Sequence, residues 1–181
     1  MKKLILLSLL IFCALYQSQT FQEVTKIGSY YGKTFKEFED GMNMKFSEKD
    51  SKFGIESRAY RTLNYALLIS EADDNDLIGR IVLLGNKDLE HEETWYNIVK
   101  YANDNKECVF IDSFYSDIND ESNKHKIPLN EMLRLLRNNK DTSETIYLIV
   151  YKYQNLYYDF SIVNGAFMIR FEKEHKPIKN K

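Results

Sequence analysis

Two cysteines, two prolines, three histidines and one tryptophan are all that the 181 residues hold of those types. Each scarcity excludes something. With seven glycines and two prolines the chain is neither collagen-like nor a low-complexity linker. Of the two cysteines, Cys13 lies in the N-terminal leader described below, so the mature chain keeps Cys108 alone and cannot form an internal disulfide. His91, His125 and His175, with one thiol, supply too few nitrogen and sulfur ligands at recognisable spacing for a structural zinc site. Charge of one sign is also lacking. Lysine and arginine number 25 against 27 acids, and the lysines are scattered except in the tail Lys173, Lys176, Lys179 and Lys181. A nucleic-acid binder concentrates basic side chains to neutralise phosphates, so DNA and RNA are not expected partners.

Long apolar runs are missing as well. Leu4 to Tyr16, broken only by Ser8, is the one candidate. As a helix it would reach about 20 Å at 1.5 Å per residue, short of a hydrocarbon core of about 30 Å. Lys2 and Lys3 precede it and Gln17, Ser18 and Gln19 follow, the three-part pattern of a secretory signal. Residues 1–19 are therefore read as a signal peptide, 20–172 as a single domain and 173–181 as a Lys-rich tail, which places the protein in the periplasm or outside the cell, with no stable transmembrane span after cleavage. Cleavage is expected between Tyr16 and Phe21, where the flanking side chains match the small-x-small rule poorly, and a retained anchor is the alternative. Lipidation at Cys13 is opposed by the bulk of Phe12. Removing the leader leaves 23 basic and 27 acidic side chains, a net charge of −4. About 160 residues suffice to bury a core without covalent staples.

Within the domain, Thr34-Phe35-Lys36-Glu37 reads as a capping box opening a helix with Phe35, Phe38 and Met42 on one face, ending near Gly41. Ser47 to Ser57 reads as a polar loop. From Ala59 the period becomes two, with Leu63, Tyr65, Leu67 and Ile69 on one face. Asp73-Asp74-Asn75-Asp76 supplies turn formers before a second strand, Leu77 to Leu84. Acids from Asp88 to Glu93 announce a second helix bearing Trp95, Ile98, Val99 and Ala102, and Cys108 to Tyr115 follows as a strand. A polar loop, Ser116 to Lys126, leads to Pro128 and a third helix with Leu129, Met132, Leu133 and Leu136 in a stripe. Thr145 to Tyr153, Leu156 to Val163 and Ala166 to Glu172 read as strands, the last two joined by the hairpin dipeptide Asn164-Gly165. The order α-β-β-α-β-α-β-β-β predicts one α+β domain, a mostly antiparallel sheet with about three helices packed on one face.

The chemistry is sparse. His91-Glu92-Glu93-Thr94-Trp95 opens like a zinc-protease helix but has Trp where the second histidine is required. Asp117 to Asn123 alternates oxygen side chains, yet lacks the glycine of a calcium loop and has Pro128 where the bidentate Glu should stand. No nucleophile elbow, phosphate loop or dinucleotide fingerprint occurs. Cys108 with His125 and Asp112 is the one nucleophilic arrangement open to the fold, and an inert core cysteine is the plainer reading. Paired carboxylates depend on distances that sequence does not give. No metal or cofactor is expected.

What is abundant is tyrosine. Tyr147, Tyr151 and Tyr153 share a strand face with Ile149, and if that face meets solvent they form a binding patch for a sugar or a protein; under the helices they are core. The function expected is a non-enzymatic binding or accessory domain acting on a protein or cell-envelope component through its sheet. A small exported hydrolase is the rival. A third reading, a structural protein, would oligomerise through edge strands Ala59 to Ile69 or Ala166 to Glu172.

Overall fold

The computed structural model describes residues 21–62, 65–85, 91–138, 144–163 and 166–175. The proposed signal, the Asn164-Gly165 turn and most of the lysine tail lie outside them. Residues 21–28 are helical (α1). They are followed by α2 (Phe35–Met42), β1 (Glu48–Lys52), β2 (Ile55–Arg61), β3 (Tyr65–Glu71), β4 (Ile78–Gly85), α3 (His91–Asp104), β5 (Cys108–Asp117), β6 (Asp120–Lys126), α4 (Leu129–Asn138), β7 (Thr145–Tyr153), β8 (Leu156–Val163) and β9 (Ala166–Glu172). The mixed architecture is as expected, but the described residues hold four helices and nine strands rather than three and six, in a different order.

Three local readings account for the difference. The stretch before Thr34 is not a lead-in: Phe21, Val24 and Ile27 repeat every third residue and are buried. Ser47 to Ser57 is not a loop but most of a hairpin whose first strand is exposed along its whole length, so it carries no apolar alternation. The strand from Ala59 to Ile69 is two strands, reversed where the Thr62 hydroxyl accepts the Tyr65 N–H at 3.0 Å. In the same way Asp117 and Asp120 close a tight β5–β6 hairpin where a loop was expected.

All nine strands form one antiparallel sheet in the order β1-β2-β3-β4-β9-β8-β7-β5-β6. The last strand in the chain is therefore the middle one in space, and its pairing with β4 joins a meander of β1–β4 to the group β5–β9. The outer strands are β1 and β6, both short and rich in charge, which discourages edge-to-edge association. β2, β3 and β9 are interior, so the expected oligomerising edges are not edges. One core runs the length of the sheet: Phe21 and Ile27 of α1, Phe35 and Phe38 of α2, Val99 of α3 and Met132 of α4 pack with Leu67, Ile81, Ile149, Phe160, Ile169 and Phe171. The helices thus share one face.

Local chemistry supports this arrangement. The capping box is formed: the Thr34 hydroxyl accepts the Glu37 N–H at 3.2 Å while Glu37 accepts the Thr34 N–H at 2.8 Å. α2 ends one residue past Gly41, on Asn43 in the left-handed conformation. Arg58 ties α2 to β2, lying 4.3 Å over the Phe35 ring and donating to Glu39 at 2.7 Å. Gly79 sits where the β3–β4 register slips, and a Cβ there would stand 2.3 Å from the Ala72 Cβ.

Candidate functional site

The three tyrosines lie on the helix-covered face. Tyr147 and Tyr151 are buried, at 3% and 1% exposure, and Tyr153 is half-buried against Phe21. The Tyr151 hydroxyl donates to Asn103 of α3 at 3.4 Å, and burial raises its pKa. An exposed patch of these rings is therefore corrected to core: β7 is third from its edge of the sheet, and its tyrosine face looks into the helical layer.

The nucleophilic set is dispersed. Cys108 starts β5 opposite Tyr153, where burial and the nearby Glu107 push its thiol up to about 11, so it is protonated at neutral pH. His125 stacks 5.0 Å from Tyr115 on β6. Tyr115 lies seven residues along the strand from Cys108, about 23 Å at 3.3 Å per residue. Asp112, beyond a β-bulge, points to the opposite face and meets Lys126 at 3.0 Å. Asp117 serves the hairpin turn, accepting the Asn119 N–H at 2.7 Å. Among the described residues no group of three or more histidine, cysteine or acidic side chains is placed to hold a metal ion.

None of the described helices lies over the other face of the sheet, and its side chains form rows set by register. One row runs Asp112, Val150, Asp159, Arg170, Val82, Leu68, Ala59 across six neighbouring pairings. Its β5–β9 end is polar and its β2–β4 end is apolar. At the apolar end, Leu68 is 42% and Leu84 40% exposed, large values for leucines in interior strands. With Ala59, Ala66 and Arg61 they line a depression of about 550 Å³.

At the polar end a second, smaller cluster of Phe114, Leu148 and Val150, with Tyr157 packed on it, surrounds two buried acids. Asp112 and Asp159 flank Val150 on adjacent strands, about 10 Å apart by strand spacing. Asp159 is 7% exposed; its Oδ2 accepts from Arg170 Nη2 at 3.3 Å, while its Oδ1 and Arg170 Nε are buried with no hydrogen-bond partner among the described residues. Burial raises the Asp159 carboxyl above its ordinary range, and Arg170 and His175 offset this in part. His175, just after β9, lies with its ring 5.6 Å from Tyr157, and its Nε2 is likewise buried and unpartnered. Buried polar atoms left unmatched cost about 1–3 kcal/mol each, and three in one place are unusual.

Sequence reasoning passed over this pair although a signal was present. Asp159, Arg170 and the terminal Glu172 are the charged residues that stand in phase with Ser161 and Met168 in otherwise apolar strands, and Asp159 and Arg170 face one another. The β8–β9 register, in which Val163 faces Ala166, places them opposite one another.

No family model matches the chain, and no curated protein does. Among solved structures it is similar to a cysteine-rich secretory protein from Staphylococcus aureus subsp. aureus Mu50, with a TM-score of 0.42 and 15% identity over 82% of this chain and 46% of that one. The chain thus spans less than half the length of that protein.

Proposed function

We propose that the protein is an exported, non-enzymatic binding or accessory domain, and that the helix-free face of its sheet engages a protein or another component of the cell envelope. The observation that carries this reading is the apolar depression between Leu68 and Leu84 on the face that none of the described helices covers. Exposed leucines in the interior of a sheet lose favourable burial unless something covers them, at about 25 cal/mol per Å². Export rests on Lys2, Lys3 and the apolar run that follows.

The test is sedimentation of the purified protein with envelope fractions of its source cell, comparing the natural chain with Leu68→Lys/Leu84→Lys. Association that the double substitution abolishes, with the fold retained by circular dichroism, is the expected result. Equal sedimentation of both chains, or none by either, would remove this face from the function. Export is checked separately, by whether residues 1–20 carry a reporter across the inner membrane.

A further inference from the structure

The polar end of the open face is already touched by the chain itself. After β9, Lys173 and Glu174 are exposed, while His175 is half-buried with its imidazole tilted 32° over Tyr157. Among the described residues, Asp159 Oδ1, Arg170 Nε and His175 Nε2 are buried without a hydrogen-bond partner, and the Asp159 side chain is nine-tenths buried. A segment that had settled as a permanent cover would be expected to match these groups.

We propose that Asp159, Arg170 and Tyr157 form a site for a peptide segment of a partner protein, and that the segment carrying His175 occupies it as an intramolecular competitor. This rests on the reading that the uncovered face binds a partner. The chemistry selects a neutral, hydrogen-bonding ligand: Arg170 opposes a cation at Asp159, and Asp159 opposes an anion at Arg170. The unfilled positions are one acceptor, Oδ1, and one donor, Nε–H, belonging to the same ion pair, and a peptide unit offers an N–H and a carbonyl at short spacing. A ring on the same peptide takes the place of the imidazole over Tyr157. What lies on the site is a peptide segment, which favours peptide over sugar.

The experiment uses the ¹⁵N-labelled full chain, its His175→Ala variant and, as probe, a synthetic nonapeptide with the sequence of residues 173–181, alongside the same peptide with alanine for histidine. A tethered competitor acts at a high effective concentration, so removing its ring exposes the site. The peptide is expected to shift the amide signals of Tyr157, Asp159 and Arg170 saturably in His175→Ala, at a concentration at least tenfold lower than in the natural chain. The alanine peptide should fail, and adding Asp159→Asn to the variant should abolish the shifts. Equal response of the natural chain and His175→Ala, or no response in either, overturns the proposal. Shifts confined to Leu68 and Leu84 overturn it too, while leaving the wider reading of the face intact. Shifts with triacetylchitotriose and none with the peptide would replace the peptide site by a glycan site. Since His175 lies outside the strands and helices, the variant should keep the natural amide spectrum elsewhere, and the Asp159→Asn natural chain provides a second comparison.

Discussion

Phe53 is the first residue of the two-residue β1–β2 turn and has φ +57°, with Gly54 following at +82°. Both central positions of such a hairpin turn call for positive φ, which glycine and asparagine tolerate and a bulky aromatic does not. For an ordinary L-residue the left-handed region costs roughly 1–2 kcal/mol, and asparagine recovers part of this through local hydrogen bonding. The phenyl ring offers no compensation, because Phe53 is 102% exposed. Phe53→Asn should therefore stabilise the hairpin by about 0.5–1 kcal/mol. If the hairpin unfolds with the rest, a domain of this size gains roughly 1–4 °C in Tm. If the edge opens by itself, the gain shows instead as about 2- to 5-fold slower amide exchange around the turn. Phe53→Ala is the control: it removes the same exposed ring but keeps the unfavourable φ, so it should gain little. Thermal unfolding and exchange measured on all three chains would refute the reasoning if alanine stabilised as much as asparagine, or if asparagine destabilised.

Burial holds the Asp159 carboxyl above its ordinary value, so the native state binds more protons than the unfolded one in the window just above pH 3.8. Its contribution to stability therefore falls as pH rises through that window. The groups around it are Arg170 and Glu172 of β9, Tyr157 beside it on β8, Lys152 over Tyr157, and His175. Asp159→Asn should raise stability at pH 7 and lose that advantage toward pH 3, a slope read by urea unfolding at several pH values; a gain that grows on acidification would contradict it. Arg170→Met, which strands the acid, should cost about 2–3 kcal/mol at pH 7 and recover in acid. Glu56 acts oppositely: burial raises its carboxyl, but hydrogen bonds from Lys49 and Arg58 more than reverse this, so the stability it supplies is lost as pH falls through the native value. Cys108, with its thiol near 11 rather than 9.0, should react with iodoacetamide at neutral pH about 100-fold more slowly than a free thiol, and a fast reaction would reopen the nucleophile reading. Gly79→Ala should cost about 2–3 kcal/mol in thermal unfolding, because the added methyl meets Ala72; a neutral result would show that the bulge can shift.

The elements legible in the sequence are those whose signal is local. Thr34 and Glu37 name a helix start by their own hydrogen bonds, and the stripe after Pro128 is periodic because one side of α4 faces the core. β7, β8 and β9 are readable because they are interior strands with continuous apolar content, β7 and β8 joined by a two-residue turn. β1 and β6 are not, since an edge strand in water needs no apolar alternation, and Glu48 to Lys52 reads like any solvated loop. The merging of β2 with β3 had a similar cause: Leu63 continues the alternating pattern straight through the reversal. For the site the obstacle is different. Alternation shows that Tyr147 and Tyr151 lie on one side of β7, but which side receives the helices is decided by how distant segments pack. The Asp159–Arg170 pairing could be read from the hairpin; its burial could not.

The central place of β9 bears on how the chain matures. Until Phe171 has emerged beside Ile81, the β1–β4 meander has no neighbour on its inner side, and β8 lacks one of its two. A chain made from its N-terminus onward therefore joins the two halves of its sheet only once β9 is available, and both halves wait for the same seven residues.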